Sequence, residues 1–207
     1  MDFSVLPALD VVNETVKAVG ARGISVELLD TKKDALERIK AIIPAAATVM
    51  TGASLTLREI GFEDLLLSKQ HPWKNLKDDI LAESDQKKQM LLRKQAITAD
   101  YFLGSVHAIS MTGEIVVASA TGSQIAPYAF ASQNIIWIAG TQKITQSVEQ
   151  GLARIRDYIM PHEEERMRAG TGGKMGTTLG KVLIFSREVP FLGRTVRLLL
   201  VKEKAGD

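Results

Sequence analysis

Residues 134–140, Asn-Ile-Ile-Trp-Ile-Ala-Gly, restrict the fold more than any other segment. They carry no charge, and large apolar side chains fall on both alternating faces, so a strand here must be covered on each side. Such strands belong inside a mainly parallel sheet flanked by two layers. Residues 24–29 (ISVELL), 47–52 (ATVMTG) and 100–106 (DYFLGSV) read as further strands. Residues 109–119 read as strand, turn at Thr112-Gly113, strand.

Helical patterns fill the intervals. Residues 3–22 place Val5, Leu9, Val12, Val16 and Val19 at three- and four-residue spacing. Thr31 with Asp34 forms a capping-box pattern ahead of Ala35, Leu36, Ile39 and Ile42, and Pro44 stops that helix. Further helices are expected from Ser54, over 84–98, from near Ser123, and after Thr145 with Val148, Leu152, Ile155 and Ile159 inward. Residues 63–83 read as a surface excursion with short helices. Residues 181–188 and 194–203 read as two closing strands, joined as a hairpin around Pro190 and Gly193. The sum is one α/β domain over residues 1–207: a mainly parallel sheet with helices on both faces. The charged, then glycine-rich stretch 161–180 is expected as a mobile loop.

Composition narrows the function classes. Apolar residues make up 45% and charged residues 24%, an ordinary globular balance. The net charge of +2 comes from basic residues spread along the chain, which argues against a dedicated nucleic-acid surface. Cysteine is absent, which excludes disulfides, thiolate metal sites, thiol nucleophiles and iron–sulfur ligation by this chain. No apolar run approaches the ~18 residues of a membrane span, and the start MDFSVLPALD lacks a basic leader region, so a cytoplasmic protein is expected. Three scattered histidines, His71, His107 and His162, do not form a metal-ligand pattern, and no cofactor motif is evident.

Two strand-to-helix junctions share one grammar. Thr51-Gly52-Ala53-Ser54 and Thr121-Gly122-Ser123-Gln124 each put glycine and small hydroxyls where a strand ends and a helix begins. Free N–H groups at such a turn favour a carboxylate or phosphate, while the plainer reading is a turn and a helix cap. Thr56 adds a further hydroxyl, and Lys143, after the strand 134–140, adds a cation. These loops are expected to line one pocket for a small anionic metabolite, beyond the carboxyl ends of the strands. His107, Glu59 and Glu114 are secondary candidates for acid–base work. No nucleophile–base pair is legible. The run GTGGKMGTTLGK matches neither phosphate-loop pattern, because Arg168 and Met175 occupy required positions.

The segments TGASLTLREIG, SVHAISMTGEIV, ATGSQIAPYAF and IIWIAGTQKI, followed by SVEQGLARIRDYIMP, resemble the LUD (lactate utilization) domain family, most closely its stand-alone members. The resemblance runs over nearly the whole chain. It implies a fold like the ribose-5-phosphate isomerase and CoA-transferase superfamily, and a bacterial role in lactate or organic-acid metabolism. It also implies two alternatives: a non-catalytic subunit beside iron–sulfur oxidoreductase partners, or a phosphosugar isomerase-like enzyme using Glu59 or Glu114 as base. Lys143 matches the family's usual lysine. Ser123-Gln124 stands where many members carry Asn-Arg, which removes an arginine able to clamp a carboxylate, and the late loop lacks the cysteines of many relatives.

Overall fold

A computed structural model of the protein describes residues 2–174, 176–189, 191 and 193–207. Helix α1 covers Leu9–Gly20, shorter than the 3–22 pattern. Pro7 has no N–H and holds its predecessor out of helical space, and Ala8 is still extended, so the helix starts after it. Strand β1 (Ser25–Leu29) leads to α2 (Lys32–Ile42), where Thr31 accepts from the Asp34 N–H at 3.1 Å and Asp34 accepts from the Thr31 N–H at 3.0 Å. This is the capping box read from the sequence. Then follow β2 (Thr48–Thr51), α3 (Leu55–Glu59), α4 (Phe62–Ser68), β3 (Lys74–Asn75), α5 (Leu76–Ala82) and α6 (Gln86–Gln95).

Strands β4 (Tyr101–Gly104), β5 (Ala108–Ser110) and β6 (Ile115–Ser119) precede a π-helical turn at Pro127–Ala131 and β7 (Asn134–Gly140). Strand β8 (Ile144–Thr145) runs into α7 (Val148–Arg154), a second π-helical turn (Ile155–Ile159) and α8 (Met160–Thr171). Strands β9 (Lys181–Phe185) and β10 (Thr195–Val201) close the chain. The helix after Thr145 is capped by Ser147 instead, whose hydroxyl accepts from the Gln150 N–H, because Thr145 is still in β8. Half of the expected 161–180 loop is helix α8, and regular structure ends at Gly172, whose left-handed φ of 61° terminates it.

Among the described residues the main sheet has six strands in the order β1-β10-β7-β4-β2-β3, all parallel. A second sheet, not foreseen, has the order β8-β5-β6-β9 with mixed directions. The closing strands are not a hairpin. β10 is apolar on both faces and takes the interior place between β1 and β7, whereas β9 exposes Val182 and Ile184 and lies on the edge of the second sheet beside β6. Pro190, the expected turn, lies outside the described residues.

Alternation along β7 explains the layers. Ile135, Trp137 and Ala139 face the core shared with the second sheet, packing with Ile109, Ile115, Val117 and Phe185. Ile136 and Ile138 face the opposite core against Ala35, Ile39, Leu57 and Phe62 of the helices. Successive strand residues point to opposite faces, so one apolar run serves two cores. A third cluster lies on the far face of the second sheet, where Ala108, Val116 and Ala118 pack on Ile155 and Ile159.

In the first core, Tyr128 makes edge-to-face contacts with Phe102 and Trp137, each at 5.5 Å between ring centroids. Its hydroxyl rests on Gly104, where an added Cβ would stand 1.8 Å from Tyr128 Oη. Gly104→Ala is expected to cost about 1–3 kcal/mol through overpacking. That cost should fall by at least half in a Tyr128→Phe background, and denaturant unfolding of the four proteins measures it. Equal costs in both backgrounds would show that the contact is not the cause.

Candidate functional site

A cavity of about 270 Å³ opens where the carboxyl ends of β2, β4 and β7 meet the end of β6. This is where a parallel sheet places ligands, because successive loops leave the strands there in different directions. The lining includes the junction 52–56, Ser105 to His107, and residues 118–121 with Ser123 and Gln124. It also includes Ile155 and Ile159 of the second π-helical turn, Met160, Glu163 and Arg166 of α8, and Thr177 to Leu179. π-Helical turns recur at functional sites because the extra residue re-aims the helix surface. Lys143 and Asp207 complete the lining.

The two hydroxyl-rich junctions touch. An added Cβ on Gly52 would stand 2.7 Å from Gln124 Oε1, so the Gln124 amide would have to shift to admit one, and Gln124 Nε2 donates to the Ala118 carbonyl at 2.8 Å. Ser54 borders the cavity, but its hydroxyl accepts from the Leu57 N–H at 3.2 Å and caps α3. The Thr121 hydroxyl accepts from the Ser123 N–H at 3.3 Å and lies 3.1 Å from Ser123 Oγ. Gly122 is not in the wall. Its φ of 89° makes the turn, and its N–H donates to Ser119 Oγ at 2.9 Å.

Lys143 is 4% exposed. Its Nζ lies 3.2 Å from Thr56 Oγ1 and 3.2 Å from Ser105 Oγ. Thr56 Oγ1 is 3.1 Å from Ser105 Oγ, and the Ser105 hydroxyl donates to the Ile138 carbonyl at 2.7 Å. The Thr56 hydroxyl can also donate to the Ala205 carbonyl at 3.4 Å, so both hydroxyl protons point away from the amine and both oxygens accept from Lys143. Burial first, then the nearby Arg154 guanidinium, pushes the Lys143 pKa down to about 7, against the pull of Asp207 and Glu59. The amine is thus divided between charged and neutral forms near neutrality.

His107 also borders the cavity, half-buried, but not as a base. Its Nδ1 accepts from the Ala118 N–H at 3.1 Å, which assigns the proton to Nε2. Desolvation, then the charges of Lys143 and Arg154, lowers its pKa to about 3. It is a neutral imidazole with one acceptor occupied and one N–H to donate. Arg154 is fully buried, donates from Nη1 to the His107 carbonyl at 2.7 Å, and lies over the Tyr158 ring at 5.2 Å. Burial lowers its pKa to about 10.

Two expected acids are elsewhere. Glu114 is outside the cavity, paired with Arg22 and bonded to the Thr112 hydroxyl. Burial raises its carboxyl pKa, but hydrogen bonds, Thr112's first, and the Arg22 charge carry it below the ordinary value. Glu59 is exposed, accepts from the Gly206 N–H at 2.9 Å and reaches Lys32 at 3.4 Å. His71 stacks on Trp73 and His162 meets Tyr158 edge-on, both away from the cavity. Among the described residues no group of three or more His, Asp or Glu is placed to hold a metal ion, and no helix is long and apolar enough to cross a membrane.

Ser105, Arg154, Arg166, Glu163 and Asp207 were not read as site residues from sequence. Ser105 directly follows a strand, the one local signal available. The others reach the site only through tertiary placement.

No curated protein matches the sequence. Among solved structures the fold is similar to that of a DUF162 family protein from Deinococcus radiodurans. The two are 12% identical with a TM-score of 0.53, over 95% of this chain and 98% of that one. The LUD domain model matches residues 12–175, a span that holds both hydroxyl-rich junctions, the histidine and the buried lysine of the cavity, and the chain belongs to the LUD domain family.

Proposed function

We propose that the cavity binds a small organic-acid anion of the lactate class, with Lys143 as its cationic contact. Membership of the LUD domain family supports a role related to lactate utilization. The observation that carries the reading is the Lys143 ammonium, held at the cavity by two neutral hydroxyls. A charge buried without a close counterion is costly, and an entering carboxylate supplies one. Two of the three ammonium protons go to Thr56 and Ser105, which leaves the third for the ligand. The cavity, at about 270 Å³, is below the usual range for drug-sized ligands and suits a molecule of a few heavy atoms. Ser123, Gln124 and Thr121 add polar contacts along one wall.

Isothermal titration with lactate and pyruvate, with ribose 5-phosphate and a CoA ester as comparators, tests this. The two small acids should bind in preference, and Lys143→Met should weaken lactate binding at least about tenfold, the loss of one charge-assisted bond. No heat from either acid, or full affinity in the variant, would refute it.

The pH dependence has a definite sign. A carboxylate prefers the charged amine, so binding above pH about 7 takes up a proton. Lactate affinity should fall as pH rises through 7, by up to about tenfold per pH unit, until the raised pKa of the complex is passed. Titrations in buffers of different ionisation enthalpy should show proton uptake at pH 8. A flat profile would mean that Lys143 does not meet the anion.

A further inference from the structure

The hydrogen-bond order around Lys143 determines what its neutral form can do. A neutral amine has two N–H bonds and one lone pair. Thr56 Oγ1 and Ser105 Oγ, each at 3.2 Å, accept those two bonds, because the Ser105 proton goes to the Ile138 carbonyl and the Thr56 proton to Ser105 or to the Ala205 carbonyl. Neither hydroxyl is left to donate to nitrogen. The lone pair therefore points in the direction that the third proton takes in the ammonium form, and the residue lines the cavity. One position thus has two states: a charged donor for an anion, and a desolvated, unencumbered nucleophile for an electrophilic carbon.

We infer that Lys143 Nζ condenses with the carbonyl carbon of a small 2-oxo acid to form an imine on this chain. The inference rests on the organic-acid reading of the cavity and names the substrate class within it. The steps balance without any further reagent. The nitrogen lone pair forms a C–N bond to the carbonyl carbon as the C=O π pair moves to oxygen. A proton passes from nitrogen to that oxygen and gives a neutral carbinolamine. The nitrogen lone pair then forms C=N as the hydroxyl takes up a proton and leaves as water, and the N–H proton left on the resulting iminium is returned to solvent, so no net proton is consumed. One water is released for each imine formed. The nitrogen needs no added base to be nucleophilic near neutrality, since burial already holds a large fraction of it uncharged. The neutral His107 imidazole, which also lines the cavity, keeps its Nε2–H to bond a carboxylate oxygen.

Borohydride trapping tests this on the full chain. The chain is incubated with pyruvate near pH 8 and reduced with sodium borohydride, and intact mass and peptide mapping follow. The expected result is one reduced adduct per chain, mapped to Lys143, absent from Lys143→Met and reduced at least about fivefold by excess lactate, which has no carbonyl and competes for the same site. Lactate alone should give no adduct while still binding by calorimetry. If pyruvate binds by calorimetry and no adduct is found at Lys143, the imine is refuted and the organic-acid site stands. If neither acid binds and nothing is trapped, both readings fail. Adducts spread over surface lysines and unchanged in Lys143→Met would also refute the imine. Mapping on the unmodified chain keeps the test decisive even if the variant folds poorly.

Discussion

The site depends on the burial of the Lys143 amine on two hydroxyls at the end of a parallel sheet. Taking an ammonium out of water costs several kcal/mol, about the energy of the charge-assisted bonds it can then make. Thr56 and Ser105 offset part of that cost without fixing the charge, as a carboxylate would. The outcome is an amine poised between two protonation states. Arg154, buried nearby and anchored on the His107 carbonyl, shifts the balance further toward the neutral form.

The fold supplies this placement through the strands that are apolar on both faces. β7 and β10 can only be interior, so the loop after β7 emerges at the middle of the sheet's carboxyl edge. There it meets the first turn of α3, which follows β2 and carries Thr56, and the loop after β4, which carries Ser105. The second sheet, packed against the first through Ile109, Ile115, Val117 and Phe185, brings the end of β6 and Gln124 over the same opening. Gly52 is the point where the two loop systems touch. The continuous helical path from Val148 to Thr171 adds Ile155, Ile159, Met160, Glu163 and Arg166 to the lining, and its π-helical turn sets Ile155 and Ile159 against Ala108, Val116 and Ala118.

Much of this was legible in the sequence, for physical reasons. Strands with apolar side chains on both faces announce interior parallel positions, and the Thr31–Asp34 box announces a helix start through side-chain chemistry alone. Lys143 and the two junctions could be placed at strand ends, hence at one edge of the sheet. Of the second sheet only the β5–β6 pair was legible, through its Thr112-Gly113 turn; β8 has two residues, and β8 and β9 join the sheet through partners remote in sequence. The same holds for Glu114, whose partner Arg22 is remote in sequence, and for Arg154, a charged residue on a helix whose full burial is set by tertiary packing. Ser54 shows the opposite limit: the anion and capping readings predict the same residue, and only the bond to the Leu57 N–H separates them.

Direct titration of the Lys143 side-chain nitrogen, by NMR of a chain labelled with ¹⁵N at lysine Nζ and assigned with Lys143→Met, tests the central claim most directly. The account predicts a midpoint of about 7, well below the ordinary lysine value, and an upward shift when lactate is added. A midpoint at or above the ordinary lysine value of 10.5, unmoved by lactate, would contradict it.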